Sequence, residues 1–219
     1  MARALGSYPA YVCKSGGGLV SSQNCTASNW PPFYGTGAVN QAYQWYWKGV
    51  PKLVSGLFID QPDYILWMLG SNDDGHSTAF GTAIGGFCGA LRTAAPSAWI
   101  FVVPMLNRTA PVHITDVYPQ FATAFVGITD SKTKLLDIGA LTSNEMLLGM
   151  SSGGPSSPVA TVRASDGEHP WVAATIASNG NEQWNTTAEI AVEVVRLIGA
   201  YSNVLGTAAG RGLLLGVGT

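Results

Sequence analysis

Short apolar runs alternate with amphipathic stretches through the middle of the chain. Three runs are apolar on both faces and bounded by turn residues: Tyr64–Leu69, Ala98–Pro104 and Thr133–Ile138. Between them, Thr78–Ala95 and Ile114–Thr129 carry apolar residues at helical spacing. Strands of this kind are covered by helices on each side, and the alternation is typical of a parallel sheet. The pattern therefore predicts an α/β fold with three layers, αβα.

The segments on either side of this unit extend the helical layers. Ala38–Phe58 has the spacing of a helix with a break at Pro51, and Thr186–Tyr201 that of a long closing helix. The end of the chain, Leu205–Thr219, differs because it combines glycines with an apolar run. We therefore predict one domain over residues 1–203 and a tail over residues 204–219, which is a linker or a separate, permuted strand.

Composition narrows the classes of partner. The chain has 219 residues, of which 47% are hydrophobic and 11% charged, so it can build a sizeable core. A net charge of −2 without a lysine or arginine cluster argues against nucleic acid as a partner. No apolar run reaches the roughly 20 residues of a spanning helix, so we predict no membrane span. Cys88 is expected in the core, whereas Cys13 and Cys25 would pair only in an oxidising compartment.

A cluster of small polar residues follows the first predicted strand. After Leu69 the sequence reads Gly-Ser-Asn-Asp, and in open parallel sheets ligands bind beyond the carboxyl ends of the strands. The same residues would also suit a turn that caps the next helix. Asp73, Asp74 and His76 are an alternative set of metal ligands, but consecutive aspartates in one turn rarely converge on one ion. We therefore predict no metal site.

A second polar stretch, "RASDGEHPW", precedes the closing helix. It places Asp166 three residues before His169 in a loop that contains glycine. A carboxylate at this distance can accept a hydrogen bond from one imidazole nitrogen, which leaves the other nitrogen able to take a proton from a nucleophile. The alternative is a surface turn in which the histidine has no chemical role.

Together the two stretches resemble the conserved blocks of SGNH (GDSL-type) hydrolases, which are esterases and lipases on a flavodoxin-like αβα fold. Asn72 in "GSND" matches the Gly-x-Asn-Asp block, and Asp166 and His169 in "DGEHP" match the Asp-x-x-His block. The resemblance implies a serine esterase that hydrolyses a small acyl ester or an acylated carbohydrate. We expect no cofactor.

The resemblance also implies a role for each matched residue. His169 would be the general base and Asp166 would orient it, while Asn72 and Gly37 would donate hydrogen bonds to the oxyanion. Gly35 is the alternative to Gly37. Gly70 and Asp73 are expected to have supporting roles, Asp73 by capping the next helix or by holding the Asn72 loop.

The sequence departs from the family at the nucleophile, because no strand ending in Gly-Asp-Ser precedes Ser7. "ALGSYPAYV" is instead predicted to be the helix that follows that strand. Three explanations are open: the chain is a fragment of a longer reading frame, another serine serves, or the tail "GRGLLLGVGT" supplies the missing first strand of a permuted sheet. The candidate serines are Ser7, Ser15, Ser21 and Ser22.

The missing block has a consequence for activity. A base and an oxyanion hole without a nucleophile give only a residual rate, so we expect little esterase activity from this chain. The alternative function is a non-catalytic carbohydrate-binding or structural module on the same fold.

Overall fold

The computed structural model describes residues 8–13, 17–20, 31–35, 41–47, 50–70, 72, 73, 76–104, 117–136, 194–201 and 211–216. The strands in these ranges are β1 (Tyr8–Cys13), β2 (Trp45–Trp47), β3 (Val50–Pro51), β4 (Leu53–Val54), β5 (Leu57–Phe58), β6 (Tyr64–Met68), β7 (Trp99–Val102), β8 (Thr133–Leu135) and β9 (Arg211–Gly216). The helices are α1 (Ser77–Ala94), α2 (Tyr118–Phe125) and α3 (residues 194–199), and a short 3-10 helix covers Ala42–Gln44.

Five of these strands form one parallel sheet in the order β1-β9-β6-β7-β8. The predicted strands Tyr64–Leu69, Ala98–Pro104 and Thr133–Ile138 are confirmed as β6, β7 and β8, although each is shorter than predicted. The predicted helix Thr78–Ala95 is confirmed as α1. The described fold is therefore α/β with a parallel sheet.

Residues 211–216 of the tail lie inside this sheet. Strand β9 pairs in parallel with β1 on one side and with β6 on the other. In this register Gly216 is level with both Cys13 and Met68, so the three strands end together at one edge. If the tail supplied the missing first strand, it would have to lie beside β6. Strand β9 lies in that position.

Buried side chains alternate between the two faces of the sheet. On β6, Ile65 and Trp67 belong to one apolar cluster together with residues of α1 and α2, such as Phe87. Tyr64 and Leu66 belong to a second cluster, to which α3 contributes Val194 and Ile198. This alternation follows from the two-residue period of a strand, and it places apolar contacts on both faces of the sheet, as the uninterrupted apolar runs predicted.

The prediction of a helix over "ALGSYPAYV" is wrong for Tyr8–Val12, because these residues lie in strand β1. The strand contains tyrosines and a valine, residue types that are enriched in strands. Pro9 is tolerated because β1 is the last strand of the described sheet on its side, where one set of ladder hydrogen bonds is not required. The partner that stabilises β1 is β9, which lies about 200 residues away in the sequence.

The prediction of a helix over Ala38–Phe58 is also wrong. The described residues of this segment form the 3-10 helix and two short antiparallel pairs, β2–β3 and β4–β5. Ser55 and Gly56 both have positive φ, 52° and 81°, as the two central residues of a type I′ hairpin turn do. The Ser-Gly pair and the run of aromatic residues are strand and turn signals that outweigh the apparent helical spacing.

Within the ranges given above, none of the helices combines the length and the apolar character needed to cross a membrane.

Candidate functional site

The loop between β6 and α1 begins with a tight turn at Gly70. Gly70 has a φ of +122°, which L-residues with side chains rarely adopt, so glycine is required here. Its carbonyl accepts the Asp73 N–H at 3.1 Å, and the Asp73 carbonyl accepts the His76 N–H at 2.9 Å. His76 is the N-cap of α1 and makes no side-chain capping bond. These bonds fix Asn72 and Asp73 just beyond the carboxyl end of β6.

The carboxylate of Asp73 joins this loop to a distant segment of the chain. Asp73 is fully buried, and its two oxygens accept the N–H groups of Leu19, at 2.7 Å, and of Val20, at 2.8 Å. A buried carboxylate is stable only when its charge is compensated, and two oriented backbone N–H groups provide such compensation. Asp73 therefore holds the segment Gly17–Val20, a partner that the sequence did not indicate.

Asn72 contacts the same segment. Its side chain is half-buried, and Nδ2 donates a hydrogen bond to the carbonyl oxygen of Gly17 at 3.2 Å. Gly17 and Gly18 are both buried. The glycines next to Asn72 are therefore Gly17 and Gly18, whereas Gly37, the predicted oxyanion donor, lies outside the described residues.

Carbonyl groups of the Gly17–Val20 segment also accept hydrogen bonds from the backbone. The carbonyls of Gly18 and Leu19 accept the N–H groups of Phe33, at 3.0 Å, and Tyr34, at 2.8 Å. The Tyr34 ring lies 5.6 Å from the ring of Phe87 on α1. Helix α1 accommodates this ring because residue 86 is glycine, and a Cβ there would come within 2.8 Å of the Tyr34 hydroxyl.

Among the described hydrogen bonds, none uses the N–H of Gly17 or Gly18. The segment is thus anchored through the N–H groups of Leu19 and Val20 and through the carbonyls of Gly17, Gly18 and Leu19. Chemically, it offers a glycine backbone beside an amide side chain at the edge where three strands end. Such an arrangement suits recognition of a carbonyl or an anionic oxygen.

Two titratable groups with strongly shifted pKa values lie away from this edge. Burial raises the pKa of the Cys88 thiol to about 12, and Cys88 is part of the core as predicted. Burial lowers the pKa of Lys52 to about 8, against an opposing effect of Asp60. Lys52 directly follows β3. Further along the chain, the side-chain amide of Gln61 donates a hydrogen bond to the carbonyl of Ala94 at the end of α1. Neither group belongs to the candidate site.

Several predicted site residues lie outside the described residues. These are His169, Asp166 and Gly37, the candidate serines Ser7, Ser15, Ser21 and Ser22, and also Asp74 and Cys25. In the part of the chain that the structure describes, no three histidine, cysteine, aspartate or glutamate side chains come together as a metal site would require.

Sequence reasoning missed the Gly17–Val20 segment, although a signal for it exists. "YVC" is followed closely by three glycines, just as the apolar run ending at Leu69 is followed by Gly70. An apolar strand that ends in a glycine turn is the pattern by which the Asn72 loop was found. A helix over "ALGSYPAYV" conceals this signal, because it leaves no strand for the glycines to follow.

Comparison with protein-family models finds no family that matches this chain. Searches of the curated proteins and of the solved structures find no match either.

Proposed function

We propose that this chain is a serine esterase of the SGNH type, built on a flavodoxin-like sheet in which the tail supplies the first strand. When β9 is counted first, the sheet order β1-β9-β6-β7-β8 becomes 2-1-3-4-5, which is the order of flavodoxin-like sheets. Ligands bind in such sheets where the strand order reverses, beyond the carboxyl ends of the first and third strands. In this chain those ends are Gly216 of β9 and Met68 of β6.

The observation that carries the proposal is the hydrogen bond from Asn72 Nδ2 to the carbonyl oxygen of Gly17 at this point, at 3.2 Å. Attack on an ester carbonyl places negative charge on its oxygen, and each oriented donor is worth about 3–4 kcal/mol. Asn72 Nδ2 is one donor in this proposal. We assign the second to a backbone N–H of Gly17 or Gly18, because glycine leaves room for the substrate.

The proton-transfer residues of the proposal rest on the resemblance. His169 would accept the proton of the nucleophile, and Asp166 would orient its imidazole. The substrate would be a short acyl ester, such as an O-acetyl group on a carbohydrate.

The position of the Gly17–Val20 segment favours three of the four candidate nucleophiles. Ser15, Ser21 and Ser22 are each within two residues of Gly17–Val20 in the sequence. Ser7 directly precedes the amino end of β1, which is the opposite end of the strand. We therefore propose that one of Ser15, Ser21 and Ser22 supplies the nucleophile, which would give this chain an activity that the absence of the Gly-Asp-Ser block alone argues against.

A serine-directed fluorophosphonate tests this proposal, because labelling reports an assembled triad even when turnover is slow. The labelled residue is identified by mass spectrometry, and hydrolysis of p-nitrophenyl acetate is measured alongside. We expect His169→Ala to abolish labelling and Asn72→Ala to lower the hydrolysis rate by about 10²–10³-fold.

Two control variants separate these effects from general damage. His76→Ala removes an exposed histidine near the site, and Gly85→Ala adds a methyl group where no atom lies within 4 Å. Both should label like the parent chain. A parent chain that neither labels nor hydrolyses the ester would contradict the esterase proposal and favour the non-catalytic module.

A further inference from the structure

The peptide between Gly17 and Gly18 faces Asn72 with its carbonyl oxygen. Asn72 Nδ2 donates to that oxygen at 3.2 Å. The C=O and N–H of a planar trans peptide point in opposite directions, so the N–H of Gly18 points away from Asn72. In this orientation a protein carbonyl occupies the place where a ligand oxygen would receive the Asn72 hydrogen bond.

The two peptides that follow Gly18 are anchored, whereas the Gly17–Gly18 peptide has one described hydrogen bond, from Asn72. Asp73 holds the N–H groups of Leu19 and Val20, and the Phe33 N–H holds the carbonyl of Gly18. Rotating the Gly17–Gly18 peptide breaks one described hydrogen bond, the long one to Asn72. Glycine on both sides removes the Cβ clashes that normally oppose such a rotation.

We propose that the Gly17–Gly18 peptide flips when an anionic or carbonyl oxygen enters the site. The flip replaces the Gly17 oxygen with the Gly18 N–H and places two donors, this N–H and Asn72 Nδ2, on the same ligand oxygen. The identity of the ligand as an acyl oxyanion rests on the proposed esterase function, whereas the flip rests on the geometry alone. Without ligand, the site is closed by its own carbonyl.

The flip explains why residue 18 is glycine. A peptide flip changes φ of the following residue by about 170°, as between type I and type II turns. The described residues with positive φ are Ser55, Gly56 and Gly70. Gly18 is not among them, so it would reach positive φ only through the flip. Alanine at position 18 would therefore be strained in the open form.

The first test changes the partner rather than the glycine. Asn72→Asp replaces a donor with an acceptor, which repels the Gly17 oxygen and attracts the Gly18 N–H. In assigned ¹⁵N spectra we expect the Gly18 amide proton to move downfield and to exchange more slowly than in the parent chain. A Gly18 amide that matches the parent chain and the Gly85→Ala control overturns the proposed flip.

The second test uses acetate as the probe. Titration into the parent chain should shift the Gly18 amide and the Asn72 side-chain amide together, with one dissociation constant. Gly18→Ala should weaken this binding about tenfold, whereas Gly85→Ala should leave it unchanged. An Asn72 shift without a Gly18 shift, or no shift of either, overturns the coupling of the flip to an oxygen ligand.

These measurements are independent of esterase activity. A flip in Asn72→Asp together with no fluorophosphonate labelling would support the peptide switch and contradict the esterase. Labelling together with an immobile Gly18 amide would support the esterase and contradict the switch.

Discussion

Asp73→Ala removes the acceptor of two backbone N–H groups and should strongly reduce the free energy of unfolding. The two bonds, to Leu19 at 2.7 Å and to Val20 at 2.8 Å, have a charged acceptor that is fully buried. A hydrogen bond to a charged group contributes about 1.5–3 kcal/mol, and a buried donor left without a partner costs a similar amount. We therefore expect a loss of about 4 kcal/mol, a large share of the roughly 5–15 kcal/mol of a typical domain.

Asp73→Asn separates the charge from the hydrogen bonds. The amide has the same shape, and its oxygen can accept one of the two N–H groups, while its NH₂ group faces the other. We expect a loss of about half that of the alanine variant. Because the effect comes from the native state, the urea midpoint should fall in both variants while the m-value stays unchanged.

Asp63→Ala is the matched control, since Asp63 is an exposed aspartate on the same chain. It should cost about 1 kcal/mol or less. An Asp73→Ala variant no less stable than Asp63→Ala would refute the assignment of Asp73 as the residue that holds Gly17–Val20. So would Leu19 and Val20 amides that exchange with solvent at the same rate in both variants.

Four further predictions concern the fold. Burial lowers the pKa of Lys52 to about 8 from 10.5 in the unfolded chain, so unfolding takes up a proton between these values. Lys52 should therefore add up to about 3 kcal/mol of stability from pH 8 to pH 10.5. Ionisation of the Cys88 thiol in the unfolded chain above its ordinary pKa of 9.0 acts in the opposite direction, so the effect is measured as the difference in stability between the parent chain and Lys52→Met; a difference that does not change with pH contradicts this. Burial alone would raise the pKa of Asp130, but its hydrogen bonds, including those from Arg92, lower it below the usual value. The ionised Asp130 should therefore contribute about 1 kcal/mol to the free energy of unfolding above pH 3.8, its ordinary pKa. This contribution should be lost as the pH falls through the lower pKa of the folded protein, and it should be missing in Asp130→Asn. Cys88, with a pKa of about 12 and a buried thiol, should resist iodoacetamide in the native protein and react in urea, as peptide mass spectrometry can check. Leu214→Pro, in a strand paired on both sides, should cost about 3 kcal/mol or more, and a variant that unfolds at the same urea concentration as the parent chain would contradict the position of β9.

The elements that the sequence predicted are those whose signal is local. Strands β6 and β7 are apolar on both faces, and helix α1 repeats its apolar residues every three to four positions, so each pattern identifies its own structure. Gly70 and Asn72 were found for the same reason, because they follow directly on an apolar run. These predictions required no knowledge of the partner strand.

The elements that the sequence did not predict depend on distant partners. Strand β1 contains Pro9 and becomes stable through pairing with β9. The role of Asp73 depends on Leu19 and Val20, which lie 54 and 53 residues earlier. A carboxylate that holds a distant loop has the same local sequence as one that caps a helix, so only the fold distinguishes the two. The tail was the intermediate case, since its apolar run predicted a strand, while its place beside β6 was one of three explanations that the sequence left open.

The position of β9 links the tail to the candidate site. Because β9 lies between β1 and β6, the ends of those two strands are separated by two strand spacings, or about 10 Å. The bonds from Asn72 and Asp73 to Gly17–Val20 join the two loops across this distance, at the edge of the sheet where β9 ends at Gly216. Displacing β9 would let the sheet close and change the separation of the loops that these bonds join. The separation of the two loops of the candidate site therefore depends on the tail strand, even though no described side chain of the site comes from it.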